Sequence, residues 1–367
     1  MSVHSLIQRS RLSVPACLLF LALAPSTAHA QLQIEKGDFT AKFGFEGQMW
    51  ADWQQDQNTT LPQGYAQNLY LRRVRFMLGG TLFKNVSYFF ETDQPNLGKS
   101  PKALNSGFLV QDAFLEYKVS NAFRIDGGLM FVPFARHAMQ STVAYYSLDI
   151  SPIATVNNTV TQSSGLRDLG FQARGFLAKD HFLYRIGLFD GARDASGRNS
   201  LRTAGFVQWD FFDSETGYIL PGTALGKQKI LAVNAGFDTQ GSYRAISANV
   251  TADIPVNKGD EIGGQMQYIH YDGQQKFTTI PDQNDFLAEI AYYSKRIKTQ
   301  PFFKYESENF VLASQIAKDY NKWGGGVNYY VFGQALKFTG QIQRVIPRNT
   351  PNKPSNEFSV QMQVFYF

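Results

Sequence analysis

Short segments in which apolar and polar side chains alternate recur along almost the whole chain, and this repetition is the feature that most constrains its fold. Along residues 39–53, Phe39 and Phe43 share one face, and Lys42 and Asp52 share the other. Successive side chains of an extended strand point to opposite faces, so each such segment has one apolar face and one polar face. The pattern predicts sixteen strands, at residues 39–53, 68–82, 86–92, 109–119, 123–132, 167–177, 182–189, 201–211, 229–238, 243–255, 261–272, 285–293, 298–306, 322–331, 335–345 and 357–367.

The connections between these segments alternate in length. Even-numbered connections are short, and odd-numbered ones are mostly long and polar, as are the periplasmic turns and outer loops of outer-membrane barrels. Two connections depart from the rhythm: residues 212–228 form a long turn and residues 239–242 a short loop. The short connections are 83–85, 120–122, 178–181, 256–260, 294–297 and 332–334, and the long ones are 54–67, 134–166, 190–200, 273–284, 307–321 and 346–356.

Composition favours a membrane barrel over a soluble domain. Aromatic residues make up 14% of the chain and charged residues 18%, below the roughly 25% typical of soluble domains. The mean hydropathy is nevertheless −0.25, so apolar residues are interleaved with polar ones. We therefore expect an all-β fold, a transmembrane antiparallel β-barrel of 16 strands. A soluble β-sandwich or lectin-like domain also alternates, but sixteen strands without a visible domain linker favour one closed sheet without edges.

The first thirty residues have the pattern of a secretory signal peptide. Basic Arg9 and Arg11 precede an apolar run at residues 14–24, and Ala28 and Ala30 form a small-x-small cleavage pattern. The apolar run is shorter than the ~20 residues that a membrane-anchoring helix needs. We predict a signal peptide at residues 1–30 and a single barrel domain at residues 31–367. The barrel is expected to lie in the bacterial outer membrane, in contact with its lipid.

Few residues suit metal, cofactor or catalytic chemistry. Cys17, the only cysteine, lies in the predicted signal peptide, so the mature chain has neither disulfides nor thiolate ligands. His137, His181 and His270 are widely separated and lack ligand spacing. We predict no enzyme activity, no catalytic residue, no metal and no cofactor.

The net charge gives little reason to expect a nucleic-acid partner. The chain has 35 Lys+Arg and 30 Asp+Glu, and removal of Arg9 and Arg11 leaves 33 against 30, a net charge of about +3. This excess is too small to indicate nucleic-acid binding.

Several short motifs, in order along the chain, resemble the phosphate-selective porin family, porins O and P. The resemblance implies a sixteen-stranded outer-membrane porin, usually trimeric, whose third outer loop folds into the lumen. Residues 134–166, between the fifth and sixth predicted strands, stand at the place of that loop, and a homotrimer is expected. The motifs are YLRRVR at 70–75 with GG at 79–80, NVSYFFETD at 85–93, DAFLEY at 112–117, DGGLMFVPF at 126–134, GLFDG at 187–191 and QPFFKYE at 300–306.

Basic residues on the polar strand faces are the candidates for lining a pore and binding anions. Arginine suits phosphate because its planar fork donates two parallel hydrogen bonds, whereas lysine acts as a point charge. The alternative is that acids on adjacent strands, such as Glu46 and Glu91, pair with these cations and hold them against the wall. Arg72 falls on the lipid face, where its side chain is expected either to extend toward the headgroups or to lie at the rim. The candidates are Arg73, Arg75, Arg124, Arg174 and Lys304 on the strands and Arg136 in residues 134–166, with Arg185, Arg244 and Lys337 as further wall cations.

The predicted constriction leaves the preferred solute open. Residues 134–166 contain Arg136 and His137 as basic residues and Asp149 as the one acid. A channel for passive diffusion of small hydrophilic solutes with a preference for inorganic anions such as phosphate is expected, and a general or carbohydrate-tolerant porin is the alternative. An outer-membrane lipid hydrolase and a secreted glycan-binding β-protein are rivals from other classes.

The last residue of the final predicted strand does not follow the alternation of apolar and polar side chains in that strand. Phe358 and Tyr366 share the apolar face, and Phe367 falls on the opposite side. A backbone bulge near Phe365 would return Phe367 to the apolar face, so we predict a bulge there.

Overall fold

The structure, a computed structural model, describes residues 32–55, 64–104 and 107–367. The predicted signal peptide at residues 1–30 lies outside the described residues and stays a prediction. In the described part of the chain, no helix is long and apolar enough to cross a membrane. Its helical turns are short 3-10 turns at Arg136–Met139, Pro152–Ala154, Asn257–Gly259 and Ile316–Lys318.

Sixteen antiparallel strands, β2 to β17, follow one another around the sheet, and pairing of β17 with β2 closes it into a barrel. The predicted all-β, sixteen-stranded barrel is confirmed. A seventeenth strand, β1, forms a short hairpin with β2 and was not predicted. The strands are β1 (Gln33–Lys36), β2 (Phe39–Gln55), β3 (Tyr65–Phe83), β4 (Val86–Asp93), β5 (Leu109–Lys118), β6 (Arg124–Phe131), β7 (Arg167–Leu177), β8 (Phe182–Phe189), β9 (Arg202–Asp210), β10 (Ile230–Gln240), β11 (Tyr243–Val256), β12 (Asp260–Asp272), β13 (Gln283–Tyr293), β14 (Thr299–Phe310), β15 (Tyr320–Tyr330), β16 (Leu336–Pro347) and β17 (Ser355–Tyr366).

The two faces of the barrel wall differ in polarity. On β7, Leu169 and Phe171 are exposed, whereas Gln172 and Arg174 are buried. Because a strand alternates its side chains, the exposed apolar set covers the outside of the barrel and the buried polar set faces inward. An apolar outer band around a polar interior is the arrangement of barrels that span the outer membrane.

The two irregular connections are as the sequence predicts. β9 ends at Asp210 and β10 begins at Ile230, so a long connection, residues 211–229, stands where a short turn is expected. β10 and β11 are joined only by residues 241–242.

The predicted bulge in the last strand is wrong. β17 pairs with β2 without a register shift as far as Tyr366, which lies opposite Phe45. Phe367 therefore keeps the inward phase, and its ring lies within 3.2 Å of the position that a Cβ at Gly79 would take. The ring also lies edge-on to Phe89, with a centroid distance of 5.8 Å. The last aromatic residue thus fills a space left by glycine, a feature that alternation alone does not reveal.

Apolar contacts inside the barrel join the wall to its two longest connections. Met139, from the connection between β6 and β7, and Leu220, from residues 211–229, share one buried cluster with Phe206 of β9. The interior is therefore partly filled by chain that is not part of the wall.

Candidate functional site

The connection between β6 and β7, residues 132–166 and here called the inner segment, is hydrogen-bonded to inward-facing side chains of distant strands. Its partners lie on β11, β15, β16 and β17, which are far from β6 and β7 in the sheet order. The bonds run from Asn328 Nδ2 to Tyr146 O at 2.8 Å, from Lys337 Nζ to Val143 O at 2.9 Å, from Leu148 N to Gln341 Oε1 at 3.1 Å, from Gln363 Nε2 to Val143 O at 3.2 Å and from Tyr146 Oη to Asp253 Oδ1 at 2.5 Å.

A second stretch of chain, the brace (residues 211–229 between β9 and β10), contacts the inner segment from the other rim. Leu220 N donates to Met139 O at 3.0 Å, and Ser141 N donates to Leu220 O at 2.8 Å. Arg136 donates to Glu215 through Nη1 at 2.6 Å and Nη2 at 2.7 Å, and both side chains are fully buried. Such a bidentate pair is strong because its two bonds are parallel and charge-assisted.

Four arginines line a cavity of about 320 Å³ between the inner segment and the wall. Arg72, Arg73 and Arg75 come from β3, and Arg167 from the start of β7. The cavity is here called the arginine pocket. Its remaining lining is neutral apart from Asp93 and consists of Pro95, Leu109, Gln111, Ala138, Thr142, Tyr145, Ile150, Thr155, Asn158, Ser164, Gly165 and Leu166.

A bulge in β3 turns Arg72 toward this pocket. Gln48 of β2 pairs with Arg73, the next residue Met49 pairs with Leu71, and Arg72 is the extra residue between them. An extra residue breaks the alternation of side chains at that point. Arg72 Nε therefore reaches Asp149 Oδ2 at 2.9 Å, and the expectation that Arg72 faces lipid is wrong.

Asp149, the acid of the inner segment, bridges two arginines. Arg73 Nη2 donates to Asp149 Oδ1 at 2.6 Å, beside the bond from Arg72. Burial alone would raise the pKa of Asp149, but the guanidinium groups of Arg72 and Arg73 outweigh burial and hold the pKa well below its ordinary value. The carboxylate is therefore ionised at neutral pH and fastens the inner segment to β3.

The other two arginines of the pocket pair with acids of the wall. Arg75 Nη2 lies 3.0 Å from Asp93, and Arg75 Nη1 lies 3.4 Å from both Glu46 and Glu91. Arg167 donates to Asp112 Oδ2 through Nη2 at 2.7 Å and Nε at 3.0 Å. The pairing with Glu46 and Glu91 that the sequence offered as the alternative is present at Arg75.

The remaining predicted residues lie outside the pocket. Arg174 of β7 donates to Asp126 at 2.9 Å and also pairs with Glu116. Arg124 of β6 lies 3.3 Å from the same Glu116, and Lys304 of β14 lies 2.8 Å from Glu306. The structure thus brings Arg73 and Arg75 together and places Arg124, Arg136, Arg174 and Lys304 elsewhere.

Two further residues of the site escaped sequence reasoning. Arg167 stands at the first position of β7, where Asp168 beside it is also buried, so alternation does not yet apply. Its guanidinium carbon lies 3.6 Å from the ring centroid of Phe131, a cation–π contact. Glu215 lies in a connection without strand periodicity. The unusual length of that connection was the one available signal.

Another part of the wall, on β14 to β17, is rich in neutral polar groups, although Lys304, Glu306 and Lys337 are also buried there. Gln300 accepts from Asn328 at 3.2 Å, and Asn328 accepts from Thr339 at 2.7 Å. Trp50 Nε1 donates to Gln361 at 2.6 Å. These side chains form the amide wall on β14 to β17, which comprises Gln300, Asn328, Thr339, Gln341, Gln343, Gln361 and Gln363.

Known proteins resemble this chain in sequence family and in fold. A family profile described as phosphate-selective porin O and P matches residues 43–301. Comparison with curated protein sequences gives no match. The anion-selective porin from Comamonas acidovorans superposes with a TM-score of 0.59 at 10% identity, over 89% of this chain and 99% of that chain. OmpF of Salmonella typhi in complex with daunomycin gives 0.60 at 13%, over 91% and 100%, and OprB of Pseudomonas putida at high pH gives 0.63 at 8%, over 88% and 93%.

A closed sixteen-stranded barrel with a polar interior, an apolar exterior and porins as structural neighbours defines an outer-membrane porin. The family match covers most of the chain, and the protein belongs to the phosphate-selective porin O and P family. It is therefore a protein of the bacterial outer membrane that forms a water-filled channel for passive diffusion of small hydrophilic solutes.

Proposed function

We propose that this porin prefers anions such as phosphate and selects them at the arginine pocket, where the inner segment narrows the lumen. The observation that carries the proposal is the convergence of Arg72, Arg73, Arg75 and Arg167 on one cavity beside that segment. Guanidinium groups bind phosphate and carboxylate through paired hydrogen bonds.

Selection requires that a passing anion replaces a carboxylate partner. The four arginines are paired with five acids, which are Asp149, Glu46, Glu91, Asp93 and Asp112. Asp149 differs from the other four because it belongs to the inner segment and not to a strand. An anion that displaces Asp149 keeps two guanidinium groups paired, whereas a cation gains no partner by the same exchange.

Reversal potentials in a salt gradient across planar bilayers test this proposal. The wild-type protein should pass chloride in preference to potassium, and Asp149→Asn should increase that preference because Arg72 and Arg73 lose their acid. Asp190→Asn is the matched control, since Asp190 pairs with Arg193 at 2.6 Å outside the arginine pocket. Cation preference of the wild type, or equal shifts in both variants, would contradict the proposal.

The amide wall favours a second function, diffusion of neutral hydroxylated solutes. Its amides and hydroxyls offer donors and acceptors without net charge, and Tyr145 and Thr142 of the inner segment lie at the arginine pocket. Swelling rates of proteoliposomes in sugars of increasing size measure this activity. Swelling in glucose as fast as in small anions of equal size would favour the carbohydrate-tolerant alternative.

Three further assignments belong to the same proposal. We infer a homotrimer from the family resemblance, a cleaved signal peptide at residues 1–30, and transport without catalysis. Cross-linking in detergent tests the trimer, and N-terminal sequencing of the protein purified from outer membranes tests cleavage before Gln31. Turnover of a lipid ester by the purified protein would contradict the third assignment.

A further inference from the structure

The arginine pocket has an apolar side that inorganic anions do not use. Leu109, Ile150 and Leu166 line it and are only partly buried. Leu109 faces inward because it lies opposite Asp93, an acid of the polar face. These side chains stand beside a polar lumen and not beside lipid, so their exposure to water is unfavourable until an apolar group covers them.

The size of the cavity also exceeds the needs of a single inorganic ion. Its volume of about 320 Å³ falls at the lower end of the range for sites that bind small organic molecules, about 300–1,000 Å³. Inorganic phosphate has five heavy atoms and no apolar surface, so it leaves the side formed by Leu109, Ile150 and Leu166 uncovered.

The charged and apolar sides face one cavity. Arg73 and Arg167 are buried, and Arg73 and Asp149 are joined across the gap between wall and inner segment. A ligand whose anionic group replaces Asp149 can therefore place a directly attached apolar body against Ile150, the residue that follows Asp149 in the chain.

We propose that the arginine pocket binds small organic anions in which a carboxylate or phosphate monoester is attached directly to a compact apolar or aromatic body. This inference rests on the proposed anion preference and narrows its solute class. The anionic group contacts Arg72, Arg73 and Arg167, and the body covers Leu109, Ile150 and Leu166. Carboxylate and phosphate ligands share this chemistry.

Block of single-channel chloride current is the test, with the full-length purified protein in planar bilayers. The probes are phenyl phosphate, benzoate, inorganic phosphate and neutral benzyl alcohol. Phenyl phosphate should halve the current at a concentration at least about tenfold lower than inorganic phosphate, a ratio that corresponds to ~1.4 kcal/mol. Benzoate should also block, and benzyl alcohol should not block at the same concentrations.

A matched pair of variants localises the effect. Ile150→Thr should reduce the advantage of phenyl phosphate to about threefold or less. Val156→Thr should keep it, because Val156 packs against the same apolar cluster as Ile150 but does not line the pocket. Leu109→Gln on β5 should reduce the advantage of phenyl phosphate as Ile150→Thr does, and it leaves the inner segment unchanged.

The outcomes separate this inference from the proposed function. An anion-selective wild type in which phenyl phosphate and inorganic phosphate block equally would overturn the inference alone. Equal losses in Ile150→Thr and Val156→Thr, or block by benzyl alcohol at the same concentration, would overturn it as well. A cation-selective wild type would overturn the proposed function, and the inference with it.

Discussion

Two parts of the lumen wall provide hydrogen-bond partners for their inward-facing polar side chains in different ways. On β3, β7, β8 and β9 the inward face carries an arginine wall, made of Arg73, Arg75, Arg167, Arg174, Arg185 and Arg202. On β14 to β17 it carries the amide wall. Amides and hydroxyls satisfy one another along neighbouring strands, as in the chain from Gln300 through Asn328 to Thr339. Guanidinium groups cannot pair with each other, so each needs an acid, a carbonyl or a solute.

This difference between the arginine wall and the amide wall indicates which part of the lumen can select between solutes. A neutral amide has little reason to prefer one sign of charge, whereas a paired guanidinium can exchange its acid for an anion. Arg185 extends the contrast, because its hydrogen bonds within the described residues go to Gly217 O at 3.1 Å and Met139 Sδ at 4.0 Å, and not to an acid. The arginine wall is thus the side on which a change of solute has an energetic consequence.

Loss of the pair between inner segment and brace should have the largest effect. Arg136→Met leaves Glu215 buried without its cation, which costs about 3–5 kcal/mol. We expect the two stretches of chain to separate and single-channel conductance to rise severalfold. The double variant Arg136→Met/Glu215→Leu removes the unpaired charge and should restore most of the wild-type conductance. Unchanged conductance in Arg136→Met would show that the pair does not hold the inner segment.

Acid should loosen the inner segment at His137, which contacts Gln265 and Gln267 of β12. His137 Nε2 accepts a hydrogen bond from Ser151 N at 2.9 Å, so the ring is neutral when the segment is docked. Burial lowers the pKa of His137, although Glu289 and Glu306 oppose this and Lys304 adds to it. The docked state of the inner segment is therefore fully stable above the ordinary histidine pKa of about 6.5. Below that pH, the free energy of docking falls by up to ~1.4 kcal/mol for each pH unit.

Current noise in planar bilayers measures this loosening. Fluctuations of the wild-type channel should grow as the pH falls from 7 toward 5. His137→Gln keeps an acceptor but does not titrate, so its noise should be independent of pH over the same range. The same pH dependence in both proteins would refute the role given to His137.

A change within the amide wall should cost stability without altering selectivity. Thr339→Val removes the donor to Asn328 Oδ1 at 2.7 Å and should lower the free energy of unfolding by about 1 kcal/mol. Urea unfolding in detergent measures that loss, and the reversal potential should stay at the wild-type value. A shifted reversal potential would mean that the amide wall also discriminates charge.

The smallest expected effect is the loss of one paired cation, and it is compared between the arginine pocket and β14. Arg167→Gln should reduce chloride preference by roughly threefold, which corresponds to about 0.6 kcal/mol, because the arginine pocket loses one of its four guanidinium groups. Lys304→Gln removes a cation that pairs with Glu306 outside the arginine pocket, and it should change the preference less. Equal changes would show that net charge, and not the pocket, sets selectivity.

The fold could be predicted because the alternation of apolar and polar side chains recurs along the chain. An error in the end of one strand does not change the predicted fold. The site could be predicted only where that alternation holds. The alternation puts Arg73 and Arg75 on the polar face, and both are buried inside the barrel. It fails at Arg72, where a bulge inserts a residue, and at Arg167, where the strand has only begun. The partner of Arg136 lies 79 positions along the chain, in a connection whose path no local pattern determines.

The contacts of the inner segment also fix when it can reach its place. Val143 O accepts from Gln363, 220 positions further along the chain and in the strand that closes the barrel. Contacts between such distant positions form late, because the intervening chain must be ordered first. The contact needs the last strand in place, so the pore is expected to narrow no earlier than the barrel is completed, and selectivity is acquired at the end of folding.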